Sequence, residues 1–515
     1  MMYWGISRLT AYWTVLLFIC FISSASGAST DPKEKLQPTQ ARMRLTYESL
    51  RLPRNEKMGF LGGTLLYNAN EWFSAGPGVY GALTGEQGGF ITLGLAAELR
   101  RPLTENIEAQ AGLFIGAGGG GGLNLSGGGL MLRTHAGVSV KSTSLGNLGA
   151  GISYVSFPDG TISSTQPYIA MEIPFDTIIG SGWISRKSGF SQAKKYKSEN
   201  KQGFSITYRR YSIPGGVKTD SGKKQYPEMR LMGVEWHKML AENWYLTLGA
   251  DGAMGGQSNG YMQILLGGGY RYVLGKKTYA KLSASAGVAG GGDVATGGGG
   301  IVATSLAFQQ MLTKRLFIEA EGGYITAPDG DFKAKNFATK IGYAFSTPGT
   351  QREFISLGGL SSYEPIHLRM RNTYQKYFKA APDWRSQHSH LNVENLGIQL
   401  DYFVAENYYL TGQGLAAFRG KAGAYMAGLL GGGVHFPISN GPIFVDGEVL
   451  LGAAGGGGLR VGGGLVWQAN AGFGYQISDK YSIICSYGRM EAPRGAFKAN
   501  VVSLSFAYNF TFFAK

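Results

Sequence analysis

Three glycine-rich tracts recur along the chain at long and nearly equal intervals. They read GAGGGGGLNLSGGGL from Gly116, GVAGGGDVATGGGGI from Gly287 and GAAGGGGLRVGGGL from Gly452, so the intervals are 171 and 165 residues. Glycine at this density opposes a conventional packed core, and the tracts lack the Gly-X-Y period of collagen. Intervals this long indicate repeated sub-structures of about 165 residues rather than the short units of a solenoid.

Other short motifs recur at similar intervals to the tracts. Asn70-Glu71-Trp72 lies upstream of the first tract, and Glu242-Asn243-Trp244 and Glu406-Asn407-Tyr408 precede the second and third. We therefore divide the chain into a signal peptide (1–28), an N-terminal polar segment (29–41), a first β repeat (42–176), a basic connector (177–202), a second repeat (203–346), a connector (347–366) and a third repeat (367–515).

The N-terminus has the pattern of a cleaved secretory signal. Arg8 precedes an apolar run from Ala11 to Ile22, and small residues up to Ala28 follow it. The run is short of the roughly 20 residues that an anchoring helix needs. Beyond Ala28 we find no apolar run long enough for a spanning helix, so any membrane passage must use strands.

Within each repeat, apolar and polar residues alternate as in half-buried strands. In GGFITLGLAAELR, Ile91, Leu93 and Leu95 share a face that opposes Thr92 and Gly94. Turn signals such as Pro-Asp-Gly at Pro158 and Pro328 separate such runs. Counting the runs predicts about eight strands in each repeat and about 24 in all.

The two faces of these strands favour a membrane barrel over a soluble sandwich. One face is apolar with aromatic residues near the strand ends, and the other carries polar residues and glycine, which is typical of strands with lipid outside and a polar interior. Only 16% of the residues are charged, against about 25% in soluble domains. On this pattern, the residues predicted to face the lumen are Glu98, Arg100, Arg133, His135, Lys281, Glu319 and Glu321.

The signal peptide, the amphipathic strands and the C-terminal strand together resemble Gram-negative outer-membrane β-barrel proteins as a class. The final VSLSFAYNFTFF looks like the signal read by the barrel-assembly machinery, and its aromatic residues are Phe506, Tyr508, Phe510 and Phe512. Ala514 and Lys515 extend beyond the aromatic end at which many members stop. The resemblance implies an outer-membrane location in a Gram-negative bacterium, with membrane lipid and the assembly machinery as partners.

The sequence predicts an all-β fold, a transmembrane antiparallel β-barrel, and two architectures fit the three repeats. One is a single barrel of about 24 strands, and the other is three tandem barrels of eight strands, each filled by its own side chains. We favour the single barrel, because one closed sheet is the commoner way to remove strand edges. In either case each glycine tract is interpreted as the tip and flanks of one hairpin, where glycine relieves crowding and accepts positive φ angles.

No sequence motif indicates catalysis, a cofactor or a metal. Strings of the form G-x-G-x-x-G carry no information in a chain with 82 glycines, and no G-x-S-x-G elbow occurs. His388-Ser389-His390 lies in a polar segment that we interpret as a solvated loop. We expect no enzyme activity, no cofactor, no metal and no nucleic-acid partner.

A basic stretch follows the first repeat and includes Lys194, Lys195, Lys197, Lys201, Arg209 and Arg210, within a net charge of +15. We interpret it as a solvated connector, with contact to lipid head groups or an anionic glycan as the alternative.

The leading functional hypothesis is a pore or conduit for passage or export of a solute or polymer, with the charged inner residues setting selectivity. The alternative is a non-conducting structural or interaction protein, made of tandem filled barrels that display glycine-rich hairpin tips. An anionic solute, a glycan or an export partner is the possible ligand.

Overall fold

A computed structural model describes residues 39–120, 128–141, 146–184, 199–349, 362–439 and 441–515. The signal peptide 1–28, the polar segment up to residue 38 and the connector lysines Lys194, Lys195 and Lys197 lie outside the described residues. The middle of the second connector, 350–361, and the tip of the first glycine tract, 121–127, also lie outside them.

The described chain forms 25 strands, which fall into three consecutive sets of eight and one short extra strand. Barrel 1 contains β1 (Thr39–Arg51), β2 (Lys57–Asn68), β3 (Phe73–Thr84), β4 (Ile91–Pro102), β5 (Ile107–Gly119), β6 (Leu130–Val140), β7 (Asn147–Ser156) and β8 (Ser163–Thr177). The short strand is β9 (Ile179–Ser181). Barrel 2 contains β10 (Glu199–Ser212), β11 (Glu228–Met239), β12 (Trp244–Gly255), β13 (Met262–Val273), β14 (Thr278–Gly290), β15 (Gly300–Met311), β16 (Leu316–Thr326) and β17 (Lys333–Pro348). Barrel 3 contains β18 (Glu364–Lys379), β19 (Val393–Ala405), β20 (Tyr408–Arg419), β21 (Met426–Pro437), β22 (Ile443–Gly455), β23 (Leu465–Gln476), β24 (Tyr481–Glu491) and β25 (Lys498–Ala514).

The preference for one large barrel is wrong, because each repeat closes on itself. The first and last strands of each set pair antiparallel, with Arg44 opposite Glu172 in barrel 1, Phe204 opposite Tyr343 in barrel 2 and Leu368 opposite Phe510 in barrel 3. Closure satisfies the edge strands within about 140–150 residues of sequence, so no strand of one repeat is left to extend into the next. The prediction of antiparallel strands, about eight to a repeat, agrees with this fold.

The strand boundaries extend into segments that the sequence assigns to connectors. β1 begins at Thr39, inside the polar segment 29–41, and β10 begins at Glu199, inside the basic connector 177–202. β17 ends at Pro348 and β18 begins at Glu364, both inside the connector 347–366.

Alternation of burial along the strands follows the alternation in the sequence. In β8, Tyr168 points into barrel 1 and is 2% exposed, whereas its neighbour Ile169 is on the outer wall and is 64% exposed. Outer-wall residues in the other barrels are similarly exposed, including Ile341 at 63% and Phe473 at 64%. Large apolar side chains thus cover the outside of each barrel, which is the arrangement of a barrel surrounded by lipid.

Helical structure is confined, within the described residues, to one 3-10 turn at Pro53–Asn55. No helix in this part of the chain is long and apolar enough to cross a membrane.

The two ends of each barrel differ. At the turn end, which holds the first residue of β1, β10 and β18, strands are joined by short turns such as 69–72 and 312–315. At the loop end the connections are longer, and they include 120–129, 213–227 and 380–392. Outer-membrane barrels show the same asymmetry, with short turns on the periplasmic side and longer loops outside.

The three barrels contact one another in a cycle. β3 of barrel 1 contacts β14 of barrel 2, β12 of barrel 2 contacts β22 of barrel 3, and β20 of barrel 3 contacts β5 of barrel 1. The third strand of each barrel therefore meets the fifth strand of the next, and three such head-to-tail contacts close a ring. The single chain has the arrangement of a trimer with approximate threefold symmetry.

Glycine backbones form the contacts at the loop end of this ring. The amide of Gly88 donates to the carbonyl oxygen of Gly297 at 2.8 Å, and that of Gly89 donates to Ala289 at 3.1 Å, which links barrels 1 and 2. A Cβ atom added to Gly455 of barrel 3 would overlap the backbone of Gly260 in barrel 2. The second and third glycine tracts lie at hairpin tips, as the sequence predicts, whereas the tip of the first, 121–127, lies outside the described residues. Glycine also allows the barrels to approach backbone to backbone.

Additional contacts tie barrel 3 to its neighbours at the turn end. β9, which follows barrel 1, pairs with residues 510–512 of β25. The backbone of Lys515 forms two hydrogen bonds of 2.9 Å with Ser346 of barrel 2, and its ammonium pairs with Glu199. Lys515 therefore connects barrel 3 to barrel 2, while Ala514 pairs with Glu364 inside barrel 3.

We predict that Gly455→Val weakens the ring. Gly455 has no positive φ, so the new side chain would act only by overlapping Gly260, and overpacking of this kind costs about 1–3 kcal/mol. The midpoint of thermal unfolding in detergent should fall. The matched control is Gly322→Val on the outer wall of barrel 2, where a Cβ meets nothing within 4 Å. Equal midpoints for the two variants would contradict a backbone contact at Gly455.

Candidate functional site

The lumen of barrel 1 is filled by charged side chains that pair with one another. Glu98 lies at the centre and contacts Arg44, Arg42 at 2.8 Å, Arg100 at 2.6 Å and His135 at 3.2 Å. Arg100 also reaches Glu172 at 2.7 Å. Alternation in β4 directs Glu98 and Arg100 to the same side, so each carboxylate is shared among several guanidinium groups.

A second cluster in barrel 1 surrounds Glu48. Its carboxylate accepts from Arg133 at 2.7 Å and from Gln166 at 3.1 Å, and Ser153 is a further partner. Arg133 and Glu48 are each 1% exposed. Two fully buried ions of opposite charge, with their remaining hydrogen-bonding sites occupied, form a closed network rather than a binding site for an external ion.

Barrel 2 contains an equivalent network with different residues. Lys340 contacts Glu235 at 2.8 Å, Glu319 at 3.1 Å and Glu321 at 2.7 Å. Lys281 pairs with Glu319 at 2.7 Å. Arg209 pairs with Glu321 at 2.8 Å, so it belongs to this lumen, and its interpretation as part of a solvated connector is wrong. Residue parity explains the difference, because Arg209 points inward and the next residue, Arg210, points to the outer wall.

Barrel 3 is filled by two arginines and three carboxylates. Arg369 contacts Asp401 at 2.6 Å and Asp446 at 2.7 Å, and Arg371 contacts Asp401 at 2.8 Å and Glu448 at 2.7 Å. None of these five residues is among those that the sequence predicts to face the lumen. Arg369 and Arg371 alternate with the outward Leu368 and Met370, and this period of two is the signal that could have identified them.

All seven residues predicted to face the lumen lie inside a barrel. Glu98, Arg100, Arg133 and His135 are brought together in barrel 1, and Lys281, Glu319 and Glu321 in barrel 2. They form separate networks, and each is engaged by an oppositely charged or hydrogen-bonding neighbour. Their proposed role in selecting a solute stays a prediction.

Apolar clusters fill the lumens nearer the loop end. In barrel 1 this cluster includes Phe60, Tyr80, Phe90, Phe114 and Phe157, which are at most 6% exposed. Barrels 2 and 3 have corresponding clusters, centred on Phe332 and on Trp384. Each barrel is therefore filled in two layers, one of ion pairs and one of aromatic and aliphatic side chains.

Barrel 3 is also covered at the turn end by the segment after β9. The indole nitrogen of Trp183 donates to the carbonyl oxygen of Leu368 at 3.2 Å, and its ring stacks on His367 with centroids 5.5 Å apart. The same ring meets Phe403 edge-on at 4.6 Å. A residue that follows barrel 1 in the chain thus caps the lumen of barrel 3.

The aromatic residues of the proposed assembly signal lie on the outer wall of β25. Tyr508 stacks on Phe510 with centroids 5.8 Å apart, and Phe512 meets Phe345 of barrel 2 at 6.2 Å. These positions put Phe506, Tyr508, Phe510 and Phe512 on one face, as the alternation indicates. Their recognition by the assembly machinery stays a prediction.

The loops add few groups of the kind that hold a metal. Among the described residues, no three His, Cys, Asp or Glu side chains are grouped closely enough to bind a metal ion. His388 and His390 have ring centroids 6.5 Å apart in the loop 380–392. At the loop end of barrel 2, the pKa of the Asp220 carboxyl is raised, mainly by its burial and to a smaller extent by the nearby carboxylate of Asp293.

No family model matches the chain, and no curated protein matches it. Solved structures similar to it include the ferric enterobactin receptor of Pseudomonas aeruginosa, with 11% identity over 93% of this chain and 82% of that one and a TM-score of 0.27. They also include the siderophore receptor PirA of Acinetobacter baumannii (9% identity, 93% and 81% coverage, TM-score 0.27) and OpdQ of Pseudomonas aeruginosa (11%, 93% and 98%, 0.20). Similarity at this level is too low to assign a function.

The predicted class of fold, closed antiparallel β-barrels, is confirmed. Closed antiparallel barrels with apolar outer walls and polar interiors are what a chain needs to satisfy its backbone in lipid. The protein thus has the fold of a transmembrane β-barrel, built as three closed antiparallel barrels in one chain. Its location in a Gram-negative outer membrane stays a prediction.

We predict that Glu48→Ala destabilises barrel 1 by about 3–5 kcal/mol, because it leaves the buried Arg133 without its carboxylate. The double variant Glu48→Met/Arg133→Met removes both charges and should recover most of that loss. Urea unfolding of the detergent-solubilised protein measures both. If the single and double variants unfold at the same urea concentration, the pair is not the reason for the loss.

Proposed function

We propose that this protein is a non-conducting outer-membrane protein whose three filled barrels form a rigid base that presents the loop end to a partner outside the cell. The observation that carries the proposal is the double filling of every lumen, with buried ion pairs in one layer and an apolar cluster in the other. Eight strands leave an interior only wide enough for side chains.

The size of the remaining space supports this proposal. The cavity inside barrel 2, bordered by Arg209, Lys281 and Glu319, measures about 40 Å³. A water needs about 10–15 Å³ of such space, so the cavity holds about three waters and no continuous column. Barrel 3 is further covered by Trp183 at one end and by the loop that carries Trp384 at the other.

The ring supports the role of a rigid base. Backbone hydrogen bonds and glycine contacts join the barrels at the loop end, while β9 and Lys515 join them at the turn end. Contacts at both ends oppose tilting of one barrel against another. The long loops of all three barrels are therefore held in fixed relative positions, which suits recognition of an extended partner.

A pore is the second candidate, and the charged residues that line the lumens favour it. Conduction through a barrel would require ion pairs such as Arg369–Asp401 to separate and the apolar layer above them to move. An isolated buried charge is costly, so this opening would need a large compensating interaction.

We expect no steady single-channel current from the purified protein in a planar bilayer, because ion pairs and an apolar cluster fill each lumen in the described part of the chain. A porin reconstituted in the same way is the control for insertion. Reproducible current steps from this protein, retained after further purification, would show a conduit and reject the proposal.

The proposed orientation makes a second prediction. In a Cys485→Ser background, Gln387→Cys in the loop 380–392 should react with a membrane-impermeant maleimide on intact cells, and Lys276→Cys in the turn 274–277 should not. Both residues are exposed, so accessibility from one side of the membrane decides the result. Labelling of Lys276→Cys alone would show that the turn end, and not the loop end, faces the outside.

A further inference from the structure

An open groove lies at the loop end of barrel 3, beside barrel 2. Its volume is about 530 Å³, and much of it is open to solvent. Its lining includes Asn259 of barrel 2 and Ser386, Leu459, Arg460 and Ala496 of barrel 3, together with glycine backbone of the hairpin 456–464. Two barrels thus contribute to one site.

The floor of the groove is rigid. The amide of Arg460 donates to the carbonyl oxygen of Trp384 at 2.9 Å, and the amide of Phe497 donates to Arg460 at the same distance. The buried rings of Trp384 and Phe497 stack below with centroids 6.1 Å apart. The hairpin backbone is fixed on both sides, while the Arg460 side chain is exposed to solvent.

The repeats give an internal comparison for the charge of this groove. Aligning the tract from Gly452 with that from Gly287 places Gly458 at the position of Asp293 and Arg460 at that of Ala295. Aligning Ala492-Pro493-Arg494 with the corresponding turn of barrel 2 places Arg494 and Ala496 at the positions of Asp329 and Asp331.

At these four positions barrel 2 has three carboxylates, whereas barrel 3 has two guanidinium groups and no carboxylate. Lys421, on the next hairpin of barrel 3, adds another exposed cation, and Asp383 is the one acidic residue of the loop 380–392. The backbone contacts of the hairpins are kept, since Gly462 and Gly495 pack against the facing hairpin as Gly297 and Gly330 do in barrel 2. The charge at these positions therefore differs between barrels 2 and 3, while the hairpin backbone contacts are the same.

We propose that this groove binds a segment of an acidic polysaccharide through the carboxylate or phosphate groups of the polysaccharide. This proposal rests on the proposed function, because it specifies the class of partner that the loop end recognises. Guanidinium groups pair with carboxylate and phosphate in bidentate geometry. Arg460 lines the groove, and the exposed Arg494 lies beside it, since it precedes the lining residues Gly495 and Ala496. The Asn259 amide, the Ser386 hydroxyl and the glycine peptide groups can hydrogen-bond sugar hydroxyls.

The shape of the groove favours a polysaccharide over a peptide. Protein partners are held mainly by aromatic or arginine side chains inserted into buried pockets. This groove is open, its apolar lining consists of Leu459 and Ala496, and Trp384 is sealed beneath it. A hydroxyl-rich, negatively charged chain matches such a polar surface better.

The test uses the full chain in detergent and measures binding of fluorescent polygalacturonate, a phosphorylated mannan, neutral dextran and polyglutamate. We expect binding of one or both acidic polysaccharides, weakening as salt is added, and little binding of dextran. Arg460→Gln/Arg494→Gln should weaken binding at least about tenfold. The matched control, Lys333→Gln/Lys335→Gln, removes the same charge from the outer wall of barrel 2 and should leave binding unchanged.

Four results would overturn the proposal. If the Arg460/Arg494 variant binds as tightly as the original protein, the polysaccharide binds elsewhere. If the Lys333/Lys335 control loses as much affinity as that variant, binding depends on net charge alone. Tighter binding of polyglutamate than of either polysaccharide would assign the groove to an acidic peptide. The fourth result is that the protein binds none of the polymers but still conducts no current and is labelled at Gln387→Cys. That result would reject an acidic polysaccharide as the ligand without contradicting the proposed function.

Discussion

Hydrocarbon offers no partner for a backbone N–H or C=O group, and the rest of this structure depends on that constraint. Each strand edge must be paired, and the chain meets the requirement three times by joining the last strand of each repeat to its first. Because closure occurs at eight strands, the interior is narrow. The charged residues that alternation directs inward are then forced into contact, and ion pairing is the arrangement that lets them remain there.

Closing three small barrels creates a further problem, because three separate cylinders in a membrane have little hydrophobic reason to associate. Lipid tails are as apolar as the outer walls, so association relies on close packing and hydrogen bonds. Glycine provides both at the loop end, where its missing side chain allows backbones such as those of Gly88 and Gly297 to hydrogen-bond directly. The entropy that glycine costs in a strand is offset by contacts that no larger residue permits.

The sequence predicts those parts of the fold that depend on local periodicity. Alternation over β4 and β25 identifies the strands and their outer faces, and the spacing of the tracts identifies three repeats. Alternation cannot count the strands in each closed sheet, because it is identical in a barrel of eight or of 24. The deciding fact is a pairing such as Arg44 with Glu172, which lie 128 residues apart in a sequence that encodes no register between them.

The same limit applies to the lumen. A period of two identifies Glu98 and Arg133 as inward, but Arg133 pairs with Glu48, which is 85 residues away. Strand tilt and register decide which side chain pairs with an inward-facing charged residue. Neither can be derived from the sequence of one strand. The contact of Trp183 with barrel 3 was equally hidden, because Trp183 belongs to a connector without periodicity and meets residues such as Leu368, which is 185 residues further on.

The division of labour between backbone and side chain explains how three similar barrels can carry different surfaces. The ring and the hairpin packing at the loop end use glycine and peptide groups, so a change from Asp329 to Arg494 at equivalent positions disturbs neither. A trimer of separate identical chains would have to change all three positions at once. Because this trimer is one chain, barrel 3 can acquire basic residues while barrel 2 keeps acidic residues at the equivalent positions. A fused ring therefore allows different side chains, such as Arg460 in barrel 3 and Ala295 in barrel 2, at equivalent positions of the same backbone frame.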